Sequence, residues 1–252
     1  MSPRFVLIAS LTLFLVGVGG LPTAGAGETV SASRGSFDHS YADWDAVLRS
    51  TVSKGRVDYD AKSSRRALSR FISSLGDVSA EELVGWTRNQ QLAFYVNAYN
   101  ALTFQTIIEA QPVASIRDIE PNAWEAVRWK VAGRMMSLDE IEHKKLRRDL
   151  KEPRIHFVVV CAARSCPSLS NRAYVPGTLD ERLEAAGRAF FTDSSKNRIE
   201  RALGQAQLSQ ILHWYGNDFV GWDGLETFPE ATGLSSKEDA VIRAMARYVS
   251  RE

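Results

Sequence analysis

The sequence predicts an α+β domain of several helices packed around a small, mainly antiparallel sheet, with a buried central helix. Three observations carry that expectation. Helix-period segments with capping signals dominate from residue 41 onward. The segment QQLAFYVNAYNALTFQTIIEA is apolar nearly all round a helix, which marks a helix enclosed on every side. Strand signals are few and short.

Taken in order, Tyr41, Trp44, Val47 and Leu48 have helical spacing, as do Leu68, Phe71, Ile72 and Leu75 before Gly76. Ser79 followed by Glu82, and Thr87 followed by Gln90, are capping-box patterns; the second opens the central helix, which must stop before Pro112. Residues 129–131 and 134–136 read as a hairpin turning at Ala132-Gly133. Residues 154–160, RIHFVVV, are β-branched and mostly apolar and read as a buried strand. Further helices are expected after Ser137, Thr178 and Ser236, each with an acid three residues on. A strand pair is expected within 198–208, around Gly204, and a helix ends at Gly216.

The first segment of the chain carries an address. Arg4, the apolar run Phe5 to Val18 and Ala24-Gly25-Ala26 have the form of a signal peptide cleaved near Ala26, placing the mature protein in the periplasm or outside the cell. The run is shorter than the roughly 20 apolar residues of a membrane span, and none is expected in the mature protein. Residues 27–39 read as a flexible leader and residues 40–252 as a single globular domain. Lys plus Arg number 31 against 30 Asp plus Glu, so no electrostatic footprint for nucleic acid exists. No Gly-rich phosphate loop, G-x-S-x-G or H-E-x-x-H is present, and no cofactor is implied.

Chemistry-bearing residues concentrate in RIHFVVVCAARSCPSL, residues 154–169. Period-2 alternation would point His156 and Cys161 to opposite faces of the strand, leaving Cys166 in the loop able to fold back toward the imidazole. Pro167 suits the first position of a helical turn, which would make Cys166 an N-cap with its thiolate favoured by the helix dipole. That arrangement yields a thiol nucleophile, Cys166, with His156 as base. Asn97 and Asn100 on the central helix, or Glu142 and His143, are candidates to orient the ring. The alternatives are a Cys161–Cys166 disulfide, with Cys161 otherwise a second nucleophile, and a metal site, for which the C-x4-C spacing is poorly suited. The asparagines equally suit a role in satisfying core backbone groups.

Elsewhere, the six tryptophans read as core rather than as a groove for sugars or peptides. Tyr95 and Tyr99 read as core-facing, and Lys144, Lys145, Arg147 and Arg148 as a solvated face. Asp218 in HWYGNDF is either structural or a partner for Arg or His.

QLAFYVNAYNALT, SLDEIEHKKLR, RIHFVVVCAARSCPSL and HWYGNDF together resemble the family catalogued as domain of unknown function 547, over roughly residues 85–220. The His-x4-Cys-x4-Cys-Pro segment is the most specific part, with Ser168 where the family pattern often has Pro. The resemblance implies a bacterial exported protein and strengthens the choice of site, without naming a reaction. Two functions remain open at this level. One is a thiol-dependent hydrolase or acyl transferase on peptide or amide bonds. The other is a binding or envelope-assembly module with paired cysteines, its partner a peptide, a glycan or an envelope protein.

Overall fold

In the computed structural model, residues 36–162, 165–200, 205–222 and 235–249 are described. A 23-residue helix, Arg88–Ala110, runs through their centre, and its sequence explains its position. Leu92, Phe94, Val96, Tyr99 and Leu102 lie on different sides of it and all are buried. A helix apolar all round has no face that gains from water, so other elements cover it on every side. Its start is the expected capping box, in which Thr87 and Gln90 satisfy each other's backbone N–H, and it ends at Ala110, ahead of Pro112. In chain order it is α4, after α1 (Ala42–Thr51), α2 (Arg65–Asp77) and α3 (Ala80–Val84).

On one side, α1 and α2 pack together and α2 packs on α4. Trp44 of α1 stacks on Phe71 of α2 at 5.9 Å and meets Phe104 of α4 edge-on. A short ladder of β1 (Val52–Ser53) and β2 (Arg56–Val57) follows α1. A second ladder, β3 (Trp129–Val131) with β4 (Arg134–Met136), lies against α2. Its two-residue turn holds Ala132 and Gly133 at φ 49° and 73°. Both central residues of this hairpin turn need positive φ, which Gly133 adopts without steric cost. The Ala132 N–H donates to the Leu75 carbonyl and ties the turn to the end of α2.

On the other side of α4 lies a π-helix, Glu140–Asp149, capped by the expected Ser137/Glu140 pair. Beyond it come a 3-10 turn (Pro153–Phe157), α5 (Leu179–Thr192), α6 (Gln210–Tyr215) and α7 (Ser236–Val249). Strands β5 (Arg198–Glu200) and β6 (Gln205–Gln207) form a third ladder. Phe157 of the 3-10 turn meets Phe190 and Phe191 of α5 and Phe219, while Tyr248 of α7 stacks on Phe191. Arg154 fixes the turn to α5 through Asp180 and Glu184 and also pairs with Glu152. Among the described residues, no helix is long and apolar enough to cross a membrane.

The fold class is α+β, but the strands form three separate two-stranded antiparallel ladders rather than one sheet. The strand expected over 154–160 is instead the 3-10 turn followed by irregular chain. A short apolar run shows only that it is buried, and Pro153 opens a helical turn that Glu152 caps at the Arg154 N–H. Pro167 starts no helix, so Cys166 is not an N-cap. The last helix is capped by Ser235 with Glu238, one residue before the expected pair, and Thr178 precedes α5 without making a side-chain cap. Packed chain begins inside the stretch read as a leader, because Phe37 contacts Phe94 and Trp86 and its N–H donates to Glu82. The signal-peptide reading of residues 1–26 and Gly204 lie outside the described residues.

Close approach of α7 to α5 depends on Gly187. A Cβ there would lie 2.6 Å from the Tyr248 ring. Gly187→Ala is expected to lower stability by about 1–3 kcal/mol through overpacking, read from the midpoint of urea denaturation.

Candidate functional site

The site begins with two carboxamides one turn apart on the buried face of α4. Asn97 Nδ2 donates to the Tyr174 carbonyl (2.7 Å) and to Ala93 O within its own helix, while its Oδ1 accepts from the Tyr174 N–H at 3.0 Å. Asn100 repeats the arrangement, donating to the Val158 carbonyl and accepting from the Val160 N–H, both at 2.9 Å. Each amide supplies a donor and an acceptor to passing chain, as a neighbouring strand would. The apolar run after His156 therefore crosses the core with its backbone satisfied although it has no strand partner. The asparagines have the backbone role left open in the sequence, and neither orients the imidazole.

The chain leaving Val160 carries the cysteines. Cys161 and Cys166 are joined in a disulfide with a Cα–Cα distance of 6.3 Å, and neither thiol is free. Of the pair, Cys166 is buried at 3% exposure and Cys161 is half-buried. Ser209, at the start of α6, donates its hydroxyl to the Ser165 carbonyl (2.8 Å) and anchors that end of the loop. His156 and both cysteines line one cleft of about 290 Å³. The strand reading, with His156 and Cys161 pointing apart, is thereby replaced: the turn at 153–157 carries the ring to the side where the disulfide lies.

Asp218, in the 3-10 turn Gly216–Phe219 that follows α6, holds the imidazole. His156 Nε2 lies 2.8 Å from Asp218 Oδ2, and Arg147 of the π-helix grips the same carboxylate through Nε and Nη2 at 2.5 and 2.8 Å. Burial raises the Asp218 pKa, but the hydrogen bonds from Arg147 and His156 outweigh it and hold the group well below the usual carboxylate range. An ionised carboxylate only accepts hydrogen bonds, so Nε2 carries the hydrogen and donates. The imidazole stacks on Tyr215 at 4.4 Å with 10° between planes, and the Arg147 guanidinium lies 4.7 Å from the same ring's centroid. Arg147, read as part of a solvated face, is thus a half-buried member of the site.

The remaining cleft wall is acidic and aromatic. Glu142 is buried at 6% exposure and, among the described residues, makes no salt bridge. Asp139 pairs loosely with His143, 3.7 Å away. Its pKa is raised by burial first, with Glu142 and Glu125 adding to the rise against the lowering effect of His143. The Tyr99 hydroxyl is fully buried with no partner in hydrogen-bond geometry. Burial, and then the charge of Glu142, push the Tyr99 phenol well above its ordinary value, and the same two causes raise Tyr215. Trp124 and Trp214 complete the aromatic lining, where the sequence had suggested core. Among the described residues, no three His, Cys, Asp or Glu side chains are grouped as metal ligands.

Of the sequence-selected residues, Cys161, Cys166, His156 and Glu142 meet at the cleft, and Asn97 and Asn100 stand behind it. Asp139, Tyr99 and Tyr215 were not selected as site residues. The Asp139–His143 spacing in SLDEIEHKKLR was the available signal for the first, whereas Tyr99 looks like any core aromatic.

These features define an α+β domain with a disulfide at the rim of a small acidic cleft. Residues 83–191 match the family model described as protein of unknown function, DUF547. The match includes both asparagines, Glu142, His156 and both cysteines, and ends before Tyr215 and Asp218. No curated protein and no solved structure matches the chain.

Asn100→Ala leaves the Val158 carbonyl and Val160 N–H without partners and is expected to cost about 1–3 kcal/mol in denaturant unfolding. Because the Asp218 pKa is depressed on folding, its contribution to stability is fully present above the ordinary value of 3.8 and is lost as pH falls through the depressed one. Melting temperatures recorded downward from about pH 5 should therefore fall more steeply for the wild type than for Asp218→Asn. Parallel curves would remove Asp218 as the anchor.

Proposed function

We propose that the protein is an exported binding module whose acidic cleft receives a small ligand or a peptide side chain and whose disulfide is structural. The observation that carries this reading is the Cys161–Cys166 bond at the cleft rim. A sulfur in a disulfide is not a thiolate, and the thiolate is the attacking species in thiol catalysis. With Cys166 paired and no helix behind it to favour its ionisation, the nucleophile proposed from sequence lacks both of its supports. A disulfide also suits the oxidising compartment to which the pattern of residues 1–26 points. The satisfied network of His156, Asp218, Arg147 and Tyr215 makes a rigid wall, as a preformed binding site requires.

A second reading stands on one observation: His156 lines the same cleft as both sulfurs. Reduction would release a thiol there, with His156, oriented by Asp218, available as a base for hydrolysis or acyl transfer at an amide. Alkylation by N-ethylmaleimide followed by intact-mass measurement separates the two. The native protein, handled without reductant, should take no adduct, and two should form after reduction in denaturant. Rapid labelling of Cys166 in the native protein, or amide hydrolysis that appears on mild reduction and vanishes on alkylation, would replace the binding reading with the thiol one.

A further inference from the structure

The cleft carries an uneven set of hydrogen-bonding groups that specifies the charge of its occupant. Asp139, Glu142 and Glu125 line it, and Arg117, exposed, is the one guanidinium among the described lining residues. His156, also in the lining, already directs Nε2 at Asp218 and a ring face at Tyr215. The basic groups of the π-helix beside the cleft have partners as well: Arg147 is held by Asp218, and His143 lies against Asp139 and accepts from Arg147 Nη1 at 3.0 Å. Glu142 is buried with no salt bridge among the described residues, and the buried Tyr99 hydroxyl beside it, within reach of that carboxylate, has no partner in strict hydrogen-bond geometry. A buried carboxylate with no cation among the described residues and a buried phenol in no well-formed hydrogen bond both cost stability, and in a native protein such groups point to an occupant that supplies what they lack.

We propose that this cleft is a binding site for a primary ammonium group, with Glu142, Asp139 and the Tyr99 oxygen accepting its three N–H bonds and Trp124 and Trp214 contacting the attached carbon chain. This rests on the binding-module reading and names the chemistry of its ligand. An anion is repelled by the three carboxylates. A neutral alcohol could partner the Tyr99 hydroxyl but would leave the Glu142 charge uncompensated. An ammonium is donor-only and brings the opposite charge, so it satisfies both defects together. It also relieves the like-charge crowding of Asp139 by Glu142 and Glu125, which adds to burial in raising the Asp139 pKa. A volume of about 290 Å³ suits a lysine side chain, a peptide N-terminus or a small free amine. Trp214, at 46% exposure on the rim, provides an aromatic surface where the chain enters.

The test is a tryptophan-fluorescence titration of the full-length oxidised protein with n-butylammonium, n-butanol, butyrate and tetramethylammonium at fixed ionic strength. Saturable binding of n-butylammonium at about millimolar concentration is expected, with the three other probes at least about tenfold weaker. Glu142→Gln should weaken n-butylammonium by about tenfold or more and Tyr99→Phe by about fivefold. Tyr99→Phe keeps the ring and removes only the unpartnered hydroxyl, so it decides the matter if Glu142→Gln does not fold. Equal binding of n-butanol, equal binding of tetramethylammonium, no saturation, or an unchanged affinity in a folded variant would each overturn the proposal. Running the alkylation assay on the same samples separates this from the wider reading: a paired disulfide with no amine binding ends only the ammonium site, whereas fast labelling of Cys166 ends the binding-module reading itself.

Discussion

Two carboxamides inside an apolar helix carry the backbone on which the site is built. Asn97 and Asn100 sit buried on α4, and each is paired at two points with irregular chain that lies in no strand ladder. Burying an amide is costly unless its hydrogen bonds are made, and burying an irregular segment is costly for the same reason. The two costs cancel when amide and segment meet. The Val158–Val160 segment can then pass through the interior and deliver His156 on one side and the disulfide on the other to a single cleft. Any rotation of α4 that moved the amides would leave both segments unsatisfied, so the central helix sets the register of the site as well as the core.

A second constraint comes from late in the chain. Asp218 reaches across from the turn after α6 to bind His156 and Arg147, joining the 3-10 turn, the π-helix and the C-terminal helices through one carboxylate. The stacked Tyr215 ring, close to both His156 and Arg147, comes from the same segment. The span that matches the family model contains the imidazole and the disulfide but not the residues that orient the ring. What holds His156 therefore lies beyond the span that the family model matches.

Much of the architecture was legible because it depends on local chemistry. The Thr87/Gln90 and Ser137/Glu140 caps, the stop before Pro112, the Ala132-Gly133 hairpin and the Gly216 helix end all stand where the local signals put them. The strand at 154–160 failed because a β-branched run reports burial, and burial here is satisfied by side-chain amides rather than by a ladder. The helix at Pro167 failed for a related reason: proline permits a helical first turn without requiring one, and the disulfide closes the loop instead. Arg147 was misread because charge on a helix resembles solvation until its partner, distant in sequence, is known.

By itself the sequence determined an α+β chain with an enclosed central helix, the capped ends of its main helices, and the short list of residues from which a site could be made. Those properties follow from periodicity, capping and composition, all of which act within a few residues. Only the tertiary structure decided that the cysteines are bonded to each other, that Asp218 rather than an asparagine holds His156, and that Glu142 and Tyr99 face one acidic cleft. Each of these joins residues far apart in the chain or depends on how a loop closes, and such geometry is set by packing around α4, which no local pattern encodes.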